Sequence, residues 1–202
     1  MTHRISPRVL GRCFSLVALL AACAVCSRAQ VAPHSGDLAF DAGYSNIGKG
    51  TNFNTTAVNR YTLGFSGGAN VNQYLTAIGE YNYFSMPPVQ GVNFNMQGYG
   101  GAVRFNLATK GKVVPYGVFD GGGARLTGSQ SGVSVTSNGG YFGGGGGASL
   151  YLGKNWGVRP EFRYNRYFYT FGGINGNTNV LTATAGVFYQ FGGKSKTASA
   201  MH

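Results

Sequence analysis

The stretch FGGGGGASLYLGKNWGVRPEFRYN, residues 142–165, decides the fold that this sequence predicts. It indicates two long strands joined by a tight turn at 153–155. Apolar and charged side chains alternate along the second strand, with period two. The apolar face carries Trp156, Val158, Phe162 and Tyr164, and the charged face carries Arg159, Glu161 and Arg163. We expect the apolar face to meet lipid and the charged face to line a packed lumen.

The composition favours many strands in an apolar solvent. Glycine accounts for 35 of the 202 residues, against a usual share of about 7%. Aromatic residues make up 14% and charged residues only 10%. A disordered chain needs high charge and low hydrophobicity, so the composition argues against disorder.

The first 29 residues predict a signal peptide. Three arginines within residues 4–12 precede an apolar run, 13–25, which is too short to span a bilayer. Small residues at 27 and 29 predict cleavage before Gln30. An alternative is a lipoprotein signal, because residues 20–23, Leu-Ala-Ala-Cys, resemble a lipobox with Cys23 as the lipidated residue.

Export constrains the rest of the chain. All three cysteines lie within the leader, at positions 13, 23 and 26, so cleavage before Gln30 leaves no thiol for a disulfide, a metal site or a nucleophile. No later run of about 20 apolar residues predicts a membrane helix. Only a closed β-barrel can then cross a bilayer with every backbone group paired.

Alternation along the chain predicts eight strands. They lie at about 37–44, 60–69, 74–84, 95–106, 113–125, 140–152, 156–169 and 179–191. Short links at 70–73, 107–112 and 153–155 alternate with long loops at 45–59, 85–94, 126–138 and 170–178. A lead-in, 30–36, and a flexible tail, 192–202, flank the domain. This layout predicts an all-β, antiparallel, up-and-down transmembrane barrel over 37–191.

Three local features do not fit a simple alternation of apolar and polar residues. If Tyr116 and Val118 face lipid, so does Asp120, at a cost of roughly 3 kcal/mol; a bulge at 119–121 would turn it inward. Pro160 cannot donate to a sheet, which predicts a bulge or a missing bond. The glycine run 143–147 lacks the ending of a phosphate loop and predicts close backbone packing in a curved sheet.

The strand positions that are predicted to face inward include charged side chains. Such side chains must be paired if they are buried. The predicted lumenal network is Asp41, Glu80, Arg104, Arg159, Glu161 and Arg163. It forms either a salt-bridge plug or the lining of a narrow gated path. Aromatic residues near strand ends predict interfacial girdles: Tyr44, Tyr61, Tyr83, Trp156, Tyr164 and Tyr169.

Residues 148–164, ASLYLGKNWGVRPEFRY, are similar to the strand–Asn-Trp–strand–Arg-x-Glu-x-Arg-Tyr signature of OmpA-like eight-stranded outer-membrane barrels. Pro115-Tyr116, at the start of strand five, fits the same pattern. The resemblance covers roughly 36–191 and implies the outer membrane of a Gram-negative-type bacterium, with membrane lipid as a partner. It also implies that the barrel-assembly machinery reads the last strand, at Thr184, Gly186, Tyr189 and Phe191. No peptidoglycan-binding domain follows in this sequence, so cell-wall anchoring is not expected.

The function that this sequence predicts is structural, or is exerted on an unidentified surface partner through the loops. Catalysis is not expected, because the only histidines after the leader, His34 and His202, lie outside the strands. No spacing of ligands predicts a metal, and no cofactor is expected. Scattered basic residues argue against nucleic acid as a partner. The alternatives are a narrow gated channel for ions or small solutes and a soluble, exported, lipocalin-like ligand carrier.

Overall fold

The computed structural model describes residues 31–48, 57–86, 88, 92–171 and 174–192. Eight strands make up the regular structure of these residues: β1 Ser35–Ile47, β2 Val58–Asn70, β3 Leu75–Ser85, β4 Asn93–Asn106, β5 Val113–Gln130, β6 Val133–Tyr151, β7 Trp156–Phe171 and β8 Ile174–Gly192. They form a closed barrel in chain order. All eight neighbouring pairs are antiparallel, and β1 closes on β8. The predicted fold class is confirmed.

The strands are strongly staggered around the barrel. We follow a path from each residue to its cross-strand partner, starting at Leu126 of β5. The path passes through β4, β3, β2, β1, β8, β7 and β6 and returns to β5 at Tyr116, ten residues earlier in the sequence. Such a stagger in an eight-stranded barrel goes with strands tilted by about 35–45° and with an interior that side chains fill.

Side chains alternate between a lumenal and an outward face. In β1, Asp37, Ala39 and Ser45 are buried, whereas Phe40 and Tyr44 are 56% and 73% exposed. The other strands alternate in the same way: every acidic side chain faces the lumen, and most exposed large hydrophobic side chains face outward. This arrangement is the opposite of that expected of a lipocalin-like carrier, whose apolar side chains would face inward. No helix among the described residues is long and apolar enough to cross a membrane.

Strand β5 resolves the conflict at Asp120. Tyr116, Val118 and Asp120 are all buried in the lumen, and Phe119 is the large residue that faces outward. The register of β5 with both neighbours runs without interruption through 119–121. The predicted bulge at 119–121 is therefore wrong. No change of parity is needed, because Tyr116 and Val118 face the lumen together with Asp120.

Two of the four predicted long loops are instead paired strand. The loop expected at 126–138 is a hairpin whose two central residues, Ser131 and Gly132, have φ values of 49° and 85°. Positive φ at both positions is the requirement of a type I′ turn, which matches the twist of the flanking strands. At the loop expected at 170–178, β7 runs to Phe171 and β8 begins at Ile174.

The three short links are confirmed in position, since they separate β2 from β3, β4 from β5 and β6 from β7. We call this end of the barrel, with Ser35 and Gly192, the short-turn end, and the opposite one the hairpin end. Of the loops predicted at 45–59 and 85–94, residues 49–56, 87 and 89–91 lie outside the described residues. So do the predicted signal peptide, 1–29, and the predicted tail beyond Gly192, which stay predictions.

The glycine run packs backbone against backbone, as expected. A Cβ atom added at lumenal Gly143, Gly145 or Gly147 would lie against a carbonyl oxygen of β7. At Pro160 the pairing with β8 continues, but β6 and β7 lack the pairs between Gly147–Glu161 and Leu150–Val158. The register is the same on both sides of the gap. Pro160 therefore interrupts the pairing of β7 with β6 locally, and it introduces no bulge.

The β5–β6 hairpin projects beyond the packed part of the barrel, so its tip should be dispensable for folding. We expect removal of Ser129, Gln130, Val133 and Ser134, which places the Ser131-Gly132 turn between the paired Gly128 and Val135, to leave the folded state nearly as stable. Heat-modifiable migration on gels, followed against temperature, measures this stability.

Leu126 is the matched control for the hairpin deletion, because it belongs to the same hairpin but is buried in an apolar cluster. Leu126→Ala is expected to destabilise the barrel by about 2–5 kcal/mol. Equal losses in the two variants would contradict the view that the tip is independent of the barrel.

Candidate functional site

The lumen holds two groups of buried charges. The upper group lies nearer the hairpin end, and the lower group lies nearer the short-turn end. The upper group centres on Arg163 of β7. Its Nη1 atom lies 2.7 Å from Glu80 Oε2 and 3.1 Å from Asp120 Oδ2, and its Nε atom lies 2.5 Å from Glu161 Oε1. One guanidinium thus ties together carboxylates from β3, β5 and β7.

Neutral donors complete the upper group. Tyr116 donates to Glu161 at 2.7 Å, Tyr141 donates to Glu80 at 3.1 Å, and the Asn165 amide donates to Asp120 at 2.5 Å. Hydrogen bonds of this kind offset part of the cost of burying carboxylates that lack a cation of their own.

The lower group has the opposite composition. Asp37 Oδ2 accepts from Arg104 Nη1 at 2.9 Å and from Arg159 Nη2 at 2.8 Å, and all three side chains are nearly fully buried. The Arg104 guanidinium lies 5.0 Å from the ring centre of Tyr116, and that of Arg159 lies 4.5 Å from the ring centre of Phe188. Aromatic faces thus stabilise cations that share a single carboxylate.

Of the six residues predicted for the network, five take part in ion pairs. Asp41 is the exception: it faces the lumen, yet it has no ion-pair partner within the described part of the chain. It lines a cavity of about 30 Å³ together with Glu80, Asp120, Glu161 and Arg163, enough for one or two water molecules. The upper part of the lumen is therefore acidic.

Sequence reasoning missed Asp37 and Asp120 as members of the network. Asp37 has the same parity as Asp41, so the alternation itself could have placed it inside. Asp120 could not be placed, because both parities of β5 carry apolar residues. With these two, all five acidic residues of the chain lie in the lumen, where three arginines form ion pairs with four of them. Arg60 of β2 has the same lumenal parity, nearer the hairpin end.

Among the described residues, packed side chains lie at both ends of the lumen. At the hairpin end, Tyr141 and Tyr167 stack with ring centres 5.0 Å apart within an apolar cluster that includes Phe84 and Met96. At the short-turn end, Ser35 accepts hydrogen bonds from Asn70 and Gln190 at 2.7 and 2.9 Å. Val31 is buried there beside Val114, Tyr151 and Phe188.

The predicted interfacial aromatics divide into two groups. Tyr44, Tyr61, Trp156 and Tyr164 are exposed on the outward face, and Tyr83 is half-buried there, so their interfacial role stays a prediction. Tyr169 is only 8% exposed and belongs to the lumenal cluster at the hairpin end. It cannot contact lipid, because the parity of β7 places it on the same face as Asn165 and Tyr167.

The predicted assembly signal lies on β8, between β1 and β7. Tyr189 and Phe191 project outward near the short-turn end, and Thr184 and Gly186 face the lumen. The role of these residues in assembly stays a prediction. None of the described residues forms a group of three or more His, Cys, Asp or Glu side chains placed to hold a metal ion.

Two solved structures show the same fold. Neisserial surface protein A (NspA) superposes with a TM-score of 0.64 at 17% identity, over 77% of this chain and 97% of that one. The N-terminal β-barrel domain of Pseudomonas aeruginosa OprF superposes with a TM-score of 0.55 at 14% identity, over 79% and 99%. No curated protein matches this chain.

The model of the outer membrane protein beta-barrel domain matches residues 15–191, which is most of the sequence. That match agrees with the closed eight-stranded barrel, its apolar outward face and its charged lumen. The chain therefore belongs to the family of outer membrane protein β-barrel domains, and it is a Gram-negative outer-membrane protein.

Proposed function

We propose that the protein is a non-enzymatic outer-membrane barrel with a closed lumen, whose role is structural or is exerted by its hairpins at the cell surface. The observation that carries this proposal is the Arg163 group, in which one side chain joins carboxylates of three strands across the lumen. Packed clusters above and below it support the same conclusion.

We infer the orientation from how far the chain extends at each end of the barrel. At the hairpin end the connections 48–57 and 86–92 are long and β5 and β6 run on into an extended hairpin, whereas the connections at the other end are confined to 71–74, 107–112 and 152–155. Barrels of this kind place short turns in the periplasm and longer connections outside. We infer that the hairpin end faces the medium, so that the β5–β6 hairpin presents its exposed Val133, Val135 and serine side chains to a surface partner. We also infer that the assembly machinery reads β8, whose Tyr189 and Phe191 remain accessible on the outward face.

The acidic cavity favours one competing function, a cation path through the lumen. The cavity is small, and Arg163 contacts three of the four carboxylates that line it. A conducting state would need these ion pairs to open, at a cost of several kcal/mol in a low-dielectric interior. The closed barrel is therefore the preferred conclusion.

Planar-bilayer recording on the purified, full-length protein tests the closed lumen. We expect no steady current above that of the bare bilayer. A variant with Arg163→Gly and Glu161→Gly, which removes the central ion pair and opens space beside the cavity, is expected to conduct and serves as the positive control. Steady cation current in the unaltered protein, altered by Glu161→Gln, would establish the channel instead.

The acidic excess of the lumen predicts opposite responses at two aspartates of β1. Asp37→Asn leaves Arg104 and Arg159 without their shared carboxylate, so we expect a loss of about 3–5 kcal/mol. Asp41→Asn removes a carboxylate that has no ion-pair partner and faces like charges, so we expect no loss or a small gain. Urea unfolding in lipid vesicles, followed by tryptophan fluorescence, measures both.

The two asparagine variants control for each other, because each changes one lumenal aspartate of the same strand to its amide. A loss at Asp41 as large as that at Asp37 would contradict the division of the lumen into a paired lower group and an acidic upper one.

A further inference from the structure

Residues 31–34 precede the first strand and cross the short-turn end of the barrel. The main-chain amide of His34 donates to the Asn70 carbonyl of β2 at 2.8 Å, and that of Val31 donates to the Thr109 carbonyl at 3.3 Å. Thr109 belongs to the link between β4 and β5, which lies on the opposite side of the barrel from β1. The segment thus runs from one wall of the lumen to the other, and we call residues 31–34 the strap.

Val31 is the apolar anchor of the strap. It is only 4% exposed and belongs to a buried cluster with Val114 of β5, Tyr151 of β6 and Phe188 of β8. The rings of Tyr151 and Phe188 meet edge to face, with their centres 5.0 Å apart. The Arg159 guanidinium lies 4.5 Å from the ring centre of Phe188. Phe188 therefore connects the cluster that holds the strap to the lower group of charges.

One hydroxyl group joins the strap to the wall of the barrel. Ser35 Oγ donates to the Ala32 carbonyl of the strap at 2.6 Å. It accepts hydrogen bonds from the side-chain amides of Asn70 on β2 and Gln190 on β8, at 2.7 and 2.9 Å. The last two residues of the strap form an exposed turn. Ser35 is thus the point at which the strap leaves the strands on either side of β1.

The strap is held more weakly than the strands. Within the described part of the chain, two main-chain hydrogen bonds, one hydroxyl group and one buried valine fix it in place, whereas each strand is paired on both sides. Burial of one valine side chain offsets the conformational entropy of ordering only about one or two residues. The docked and the released strap are therefore close in free energy, and a segment of this kind can open locally without unfolding the domain.

We propose that the strap opens and closes over the short-turn end while the barrel stays folded, and that its opening admits water to the lower group of charges. The path is short, because Asp37 follows Ser35 by two residues on the same lumenal face of β1. The motion is independent of the orientation and the role proposed above, since it concerns one end of the lumen and needs no continuous path through it.

Thiol labelling of the full-length chain in lipid nanodiscs tests the strap, because a nanodisc leaves both ends of the barrel open to a water-soluble maleimide. The three cysteines of the sequence are replaced by serine, so that an introduced thiol is unique. Val114→Cys places the thiol in the cluster that holds the strap, and Val180→Cys places it in the cluster at the hairpin end. Both valines are fully buried. We expect the thiol of Val114→Cys to react in the folded barrel, and to react faster than that of Val180→Cys.

Val31→Ser removes the apolar anchor of the strap. It is expected to speed the labelling of Val114→Cys by about tenfold or more, the factor that corresponds to moving one valine side chain into water. Val71→Ser is the matched control, because Val71 lies in a link at the same end but is 51% exposed, and it is expected to leave the rate unchanged. Slow labelling of Val180→Cys in both backgrounds shows that the barrel has folded.

Four results would overturn the proposal. If Val31→Ser leaves the labelling of Val114→Cys unchanged, the strap is not the barrier to water. Labelling of Val114→Cys at the rate of the urea-unfolded chain would mean that the strap covers nothing. Equal rates for the two thiols would mean that the barrel opens as a whole. Reaction of Val114→Cys only after Val31→Ser would make the strap a fixed plug that does not open.

Discussion

A guanidinium enclosed in a narrow barrel is stable only while carboxylates lie within contact distance, and the interior of this protein is arranged around that requirement. Arg163 contacts carboxylates from three strands, and Arg104 and Arg159 share Asp37 of a fourth. These contacts depend on the register of β1, β3, β4, β5 and β7. A slip of one residue in any of these strands would turn its charge toward lipid, so the ion pairs also specify the register.

The enclosed carboxylates explain the character of the exterior. Because the lumen contains every acidic side chain of the chain, no carboxylate is available on the outward face to pair with a basic residue. Arg166 is instead held there by an amide and an aromatic ring. The ion pairs of the lumen and the basic character of the outward face are thus two results of one distribution of charge.

The alternation of side chains predicts the barrel well wherever only one parity of a strand is apolar. It fails at β5, where Val114, Tyr116 and Val118 compete with Val113, Pro115 and Phe119 and only tertiary pairing decides. It fails at the β5–β6 hairpin, because serine and threonine suggest a loop although the Ser131-Gly132 turn continues the ladder. The partners of Asp37 could not be predicted either, since they depend on a ten-residue stagger that no local pattern encodes.

The pairing of β1 with β8 has a consequence for the order in which the molecule can form. Ser35 pairs with Gly192, so the seam that closes the barrel joins the two ends of the domain. All other neighbouring strands are adjacent in sequence and can pair as hairpins, whereas this seam must wait until the last strand has been synthesised and exported. Until then β1 and β8 are open edges whose unpaired amides and carbonyls can pair with other chains. Protection of these two edges during biogenesis is therefore a kinetic requirement built into the topology.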